Sequence, residues 1–121
     1  MKSPYTGIQR IFKAFGYSFS GFVAAFESEA AFRQDLLFCA ALEVICLMLP
    51  ADGLEKALLT VSLLGIIIAE LVNTAIETVI DRISADFHPL SKKAKDIGSL
   101  IVLLSFVQFG ILFTYILIQL I

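Results

Sequence analysis

The chain has 121 residues, 59% of them hydrophobic and 17% charged, with a mean hydropathy of +0.91. Such a composition excludes an ordinary soluble domain and reads as one small integral membrane unit over residues 1–121. A formal net charge of −2, with no basic and aromatic-interleaved surface, argues against a nucleic-acid partner.

Lys2 is followed by polar and turn-forming residues (Ser3, Pro4, Thr6, Gly7), which is not a signal-peptide pattern, so no cleavage is expected. Apolar residues then fall at Ile8, Ile11, Phe12, Phe15, Phe19, Phe22, Val23 and Phe26, while Arg10, Lys13, Tyr17 and Ser20 fill much of the remainder. This is the pattern of an amphipathic surface helix over about 7–28, lying in the headgroup plane or closing as a lid on the bundle.

The first spanning segment, about 30–49, carries Arg33 and Asp35 near one interface and Glu43 in its middle, where an ionised carboxylate is costly, so that Glu43 is expected to be protonated or hydrogen-bonded, with Gln108, Ser105 or Thr60 as candidate partners. Cys39 and Cys46, seven apart on one apolar face, read as packing residues rather than as metal ligands or a disulfide. Pro50-Ala51-Asp52-Gly53 ends the segment as a tight turn.

The second span, about 54–80, contains ELVNTAIE, with Glu70, Asn73 and Glu77 at helical spacing. At about 100° per residue, Glu77 lies about 20° from Glu70 and Asn73 about 60° away, and Asp81 follows one turn later on the same stripe. Carboxylates at membrane depth must face protein, water or a bound cation, so the stripe points to an ion or phosphate site. A polar seam between helices is the alternative, although such seams usually use Ser, Thr or Asn.

Residues 81–95 form a polar connection, with a helix expected to begin near Ser91, after Pro89, and a third span over about 97–121 free of formal charge. Cations cluster at Lys2, Arg10, Lys13 and Arg33 and again at Arg82, Lys92, Lys93 and Lys95, against only Lys56 in the intervening turn. The N-terminus and the 81–96 segment are therefore expected on the cytoplasmic side. Lysines at a helix start oppose the dipole but suit a polyphosphate, with Asp96 complementing the dipole and available to Lys95; positive-inside anchoring explains Lys92 and Lys93 equally well. Acids facing lysines suggest magnesium-dependent phosphoryl transfer, although no Walker A loop or protein-kinase motif is present. A proton-coupled transporter or a structural subunit is the competing class; a transporter has use for Glu43 but none for the lysine cluster.

The runs GIQRIFKAFGYS (7–18), EAAFRQD (29–35), ELVNTAIETVIDR (70–82) and HPLSKKAKDIGS (88–99) resemble the prokaryotic diacylglycerol kinase family in order and spacing, over nearly the whole chain. The resemblance implies an all-α homotrimer of three-span subunits in the bacterial inner membrane. Each subunit would transfer the γ-phosphoryl of ATP, with Mg2+, to diacylglycerol or another lipid alcohol at sites between subunits. It implies Glu70 as general base, Glu29 and Glu77 as magnesium ligands, and Asn73 in support. Arg10, Tyr17, Glu29, Glu77, Asp86, Phe87, His88, Lys95 and Asp96 would bind ATP. Lipid contacts would come from Arg10, Ala14, Phe15, Gly16, Tyr17, Ser18, Phe19, Val23, Ala24, Ala25 and Phe26 of the surface helix. Further contacts would come from Ala31, Phe32, Arg33, Gln34 and Asp35, from Met48, Leu49, Pro50, Ala51 and Lys56, and from Glu70 and Ser99. FRQ at 32–34 resembles the diacylglycerol branch rather than the undecaprenol branch, whereas Glu43 departs from the apolar pattern expected of span one.

Overall fold

Four helices and no strand make up residues 4–121, the part that the computed structural model describes: α1 (Gly7–Ser28), α2 (Ala30–Met48), α3 (Gly53–Ile83) and α4 (Pro89–Leu120). Lys2 and Ser3, which entered the cation count and the N-terminal pattern above, lie outside the described residues. The chain enters α1 through Gly7 at φ 62°, a left-handed conformation that glycine adopts without a Cβ penalty. Glu29 alone separates α1 from α2, in an extended conformation that breaks the helix and turns a corner. Arg33, one turn into α2, reaches back across this corner and donates from Nη1 to the carbonyls of Phe26 and Glu27, satisfying acceptors that the end of α1 leaves open.

At the far end of α2 the expected turn is present, and its sequence explains the start of α3. Asp52 accepts from the Glu55 amide (2.8 Å), and Glu55 accepts from the Asp52 amide (3.1 Å), a reciprocal capping box that begins the helix at Gly53. The connection between the last two helices is shorter than expected, because α3 continues to Ile83 and α4 starts at Pro89 rather than near Ser91. Proline at the first helical position lacks only an amide that would have no partner there, and His88 caps the turn through Nδ1, accepting from the Leu90 amide at 3.1 Å. The polar connection is therefore 84–88, with residues 81–83 and 89–95 helical.

Helix α3 is the centre of the bundle, packing on α2 on one side and more extensively on α4 on the other, while α1 touches α2. The core lies between α2, α3 and α4 around Cys46, Leu59, Ile66 and Ile116. Both cysteines are buried and unbridged, as packing residues should be. Phe22 meets Phe32 edge-on at 5.6 Å and joins α1 to the bundle, yet the apolar face of α1 stays open, with Phe15 71% exposed.

Among the described residues two helices, α3 and α4, are long and apolar enough to cross a membrane. Their 31 and 32 residues extend about 46 and 48 Å, well beyond a hydrocarbon core of about 30 Å. Their charged ends at 77–83 and 92–96 can therefore reach the headgroups while the apolar lengths remain immersed. Much of that apolar surface is exposed within the chain, and a lipid phase is the environment that accommodates it. The chain is a helical membrane protein.

Candidate active site

A run of contacts fixes how α2 and α3 lie against one another. Lys56 Nζ donates to the Leu47 carbonyl (2.9 Å), and Thr60 Oγ1 donates to Glu43 Oε1 (2.7 Å). Farther along, Cys39 Sγ approaches the Leu63 carbonyl at 3.7 Å, and Asp35 of α2 comes close enough to Glu70 of α3 to act on its carboxyl. Each step back along α2 is matched by a step forward along α3, the signature of an antiparallel pair. Of the three partners expected for Glu43, Thr60 is the one it meets.

The same register assembles the acids. Glu70 is only 6% exposed, and Asp35, Glu77 and Glu29 all lie close enough to act on it electrostatically. From Asp35 back to Glu29 is six residues, about 9 Å; from Glu70 forward to Glu77 is seven, about 10.5 Å, so the two outer carboxylates advance together toward the same end of the bundle. Within α3, Asn73 Nδ2 donates to Glu77 Oε1 at 3.4 Å, confirming that these members of the stripe share a face. The resemblance makes Asp35 a lipid contact and no spacing in the sequence pairs it with Glu70; only the helix register makes that neighbour visible.

Gathered acids repel one another, and a divalent cation is one species that would hold them together. Among the described residues no three His, Cys, Asp or Glu side chains converge as a metal cage. Magnesium needs none: it is usually held by one or two carboxylates, with phosphate oxygens and water completing its shell. The hard oxygen donors of Glu29 and Glu77 fit that role.

One turn beyond Glu77, α3 and α4 diverge around a cleft of about 450 Å3. Asp86, Phe87, His88, Lys95 and Asp96 line it, joined by Asp81 and Ser91. Lys95 bonds Asp81 at 3.2 Å, not Asp96 as expected; Asp96 instead pairs with Lys92 one turn earlier on α4, at 2.6 Å. The difference follows from geometry, since Lys92 and Asp96 are i,i+4 neighbours on one helical face. Arg10, Tyr17, Glu29 and Glu77 do not line this cleft; Glu29 forms the corner between α1 and α2 that Arg33 caps.

The expected lipid contacts divide into separate groups. Ser18, Ala24 and Ala25 line an open groove of about 820 Å3 between α1 and α3, facing Leu71, Thr74 and Thr78. Arg33, Gln34 and Asp35 lie at the acidic end of α2, whereas Met48 to Ala51 and Lys56 lie at its other end, about 20 Å away. Leu49 and Ala51 pack on the core there, and Met48 is exposed. Ser99 is exposed on α4 beside Gly98, which is buried against Asn73.

The model of the prokaryotic diacylglycerol kinase family matches residues 16–117. The diacylglycerol kinase of Pseudomonas aeruginosa is 48% identical over 100 residues, 80% of this chain and 81% of that protein. The diacylglycerol kinase of Escherichia coli K12 is 43% identical over 107 residues, 88% of each chain, and that of Helicobacter pylori J99 is 40% identical over 93 residues, 77% of this chain and 73% of its own. With its acidic stripe, its cleft and nearly its whole length inside that match, the chain belongs to the prokaryotic diacylglycerol kinase family.

Proposed function

We propose that this chain phosphorylates diacylglycerol to phosphatidic acid, using ATP with magnesium at the cytoplasmic face of the bacterial inner membrane and Glu70 as general base. The observation that carries the reading is the burial of Glu70 where α2 meets α3, within electrostatic range of Asp35, Glu77 and Glu29, with Glu77 leading, one turn further along α3, to the cleft that Lys95 lines. Family membership and the shared name of the relatives favour diacylglycerol over undecaprenol as acceptor.

Glu29 and Glu77 would hold magnesium, which when bound neutralises phosphate charge and orients the polyphosphate. Glu70 accepts the proton of the lipid hydroxyl as that oxygen bonds to the γ-phosphorus and the bond to the bridging oxygen breaks, releasing ADP. Lys95 offsets charge on the transferred group, and Asp86, Phe87, His88 and Asp96 contact the nucleotide around it. Asn73 holds Glu77. Phe15 and Phe19 would anchor the surface helix in lipid, with acyl chains passing the groove between α1 and α3 and running along α2 toward Met48 and Lys56.

Three features support a three-span homotrimer with composite sites. Helix α2 is about 28 Å long, and Glu43, the charge in its middle, is satisfied by Thr60. Apolar faces of α3 and α4 remain uncovered within one chain. Arg10 and Tyr17 do not reach the nucleotide cleft of their own subunit. Arg33, Arg82 and Lys92 to Lys95 share one end of the bundle, which supports a cytoplasmic N-terminus and 81–96 segment.

Purified protein in mixed micelles with radiolabelled ATP, magnesium and either diacylglycerol or undecaprenol tests the reading. Label in phosphatidic acid is expected. Label on undecaprenol alone would move the acceptor to the other branch, and label in neither lipid would overturn the kinase assignment.

A further inference from the structure

Helices α3 and α4 are in close contact where Asn73 faces Gly98. A Cβ added at Gly98 would overlap Asn73 Oδ1, would press on its Cγ at 3.3 Å and would touch Ile76 Cδ1 at 3.6 Å, whereas a Cβ at any of the other six glycines meets nothing within 4 Å. Asn73 Oδ1 is also the buried side-chain polar atom that lacks a hydrogen-bond partner among the described residues. Its carboxamide is therefore held from two sides: Nδ2 donates to Glu77 Oε1, and Oδ1 rests against the bare Cα of Gly98, a helix-to-helix approach in which a Cα–H can serve as a weak donor.

We infer that Gly98 is a positioning residue for the magnesium site: the missing side chain admits the Asn73 carboxamide, and the carboxamide aims the Glu77 carboxylate. The inference rests on the proposed role of Glu77 as a metal ligand. A methyl group at 98 must displace something, and the short Asn73 side chain gives way more easily than either helix backbone. When it swings off Gly98, its bond to Glu77 breaks. Groups that orient a metal ligand through a hydrogen bond typically contribute about 10- to 100-fold to metal affinity.

The test is a double-mutant cycle on full-length protein in micelles, reading Mn2+ binding in place of Mg2+ by electron paramagnetic resonance, with a non-hydrolysable ATP analogue present. Gly98→Ala and Asn73→Ala should each weaken Mn2+ binding about tenfold or more. Gly98→Ala placed on Asn73→Ala should add nothing, because the methyl group then occupies the space the carboxamide has left. The double variant also covers failure of Gly98→Ala to assemble, since relief of the overlap should restore assembly. Wild-type Mn2+ affinity in Gly98→Ala would overturn the inference, as would additive losses in the double variant, which mark a glycine needed for helix packing alone. Turnover of diacylglycerol by the wild type is measured in parallel: its absence would count against the kinase reading, while the Mn2+ cycle would still decide the role of Gly98.

Discussion

Glu70→Gln separates base catalysis from binding more cleanly than any other single change in this chain. The substitution keeps the shape of a side chain that is 6% exposed and leaves its neighbours Asp35, Glu77 and Glu29 in place. What is lost is the capacity to take a proton from the lipid hydroxyl. A positioned general base contributes about 10² to 10⁴ in rate, equivalent to about 2.7 to 5.4 kcal/mol of transition-state stabilisation. Turnover should therefore fall at least about a hundredfold, with KM for ATP within a few-fold of wild type. Stability should not fall, because an amide beside Asp35 supplies a donor where two carboxyl groups met. Steady-state kinetics with ATP and diacylglycerol in mixed micelles, with thermal unfolding of the same preparation, makes the measurement. Turnover within about tenfold of wild type in an intact assembly would refute the assignment of Glu70 as base.

Glu29→Gln and Glu77→Gln should each raise the magnesium concentration needed for half-maximal activity by about tenfold or more, with partial rescue by excess magnesium; titrations indistinguishable from wild type would move the metal elsewhere. Lys95→Met should raise KM for ATP and lower turnover together, whereas Asp81→Asn removes only an exposed ion pair and should change stability by less than about 1 kcal/mol; the two are compared by kinetics and by unfolding. Glu43→Gln keeps the Thr60 contact and should retain activity and assembly. Glu43→Leu should cost about 1 kcal/mol in stability with chemistry intact, and loss of all transfer in an assembled Glu43→Gln protein would refute a structural role for Glu43.

Much of the site was legible in the chain because helical spacing is a local property. Glu70, Asn73 and Glu77 declare a shared face by their separations, and the Asn73–Glu77 bond follows from that alone. The start of α4 differs from the expected one for an equally local reason: a helix expected after Pro89 begins at it, because proline suits the first position of a helix and His88 before it caps. The exchange of partners at Lys95 is different in kind, because Asp81 is distant in sequence and meets Lys95 only once α3 and α4 are paired. Asp35 against Glu70 and Gly98 against Asn73 belong to that second class. No pattern within one helix announces them; they depend on the register of two helices, which apolar periodicity leaves open.

That register has a physical origin in the few polar groups of the bundle. Between helices immersed in lipid, Leu and Ile contacts are nearly as favourable one turn away as in place, since lipid tails solvate the same surfaces. Directional contacts are not so tolerant. Sliding α2 along α3 by one turn, about 5.4 Å, would part Glu43 from Thr60 and Lys56 from the Leu47 carbonyl and forfeit both hydrogen bonds. It would also carry Asp35 and Glu29 off Glu70 and Glu77. Likewise, sliding α4 on α3 would bring a side chain other than Gly98 against Asn73 and part Lys95 from Asp81. Glu43–Thr60, together with Lys56–Leu47 at the turn between α2 and α3, thus helps hold the register in which the more distant carboxylates meet, one directional contact among several. A helix with no chemistry of its own at its middle has reason to carry an acidic side chain there.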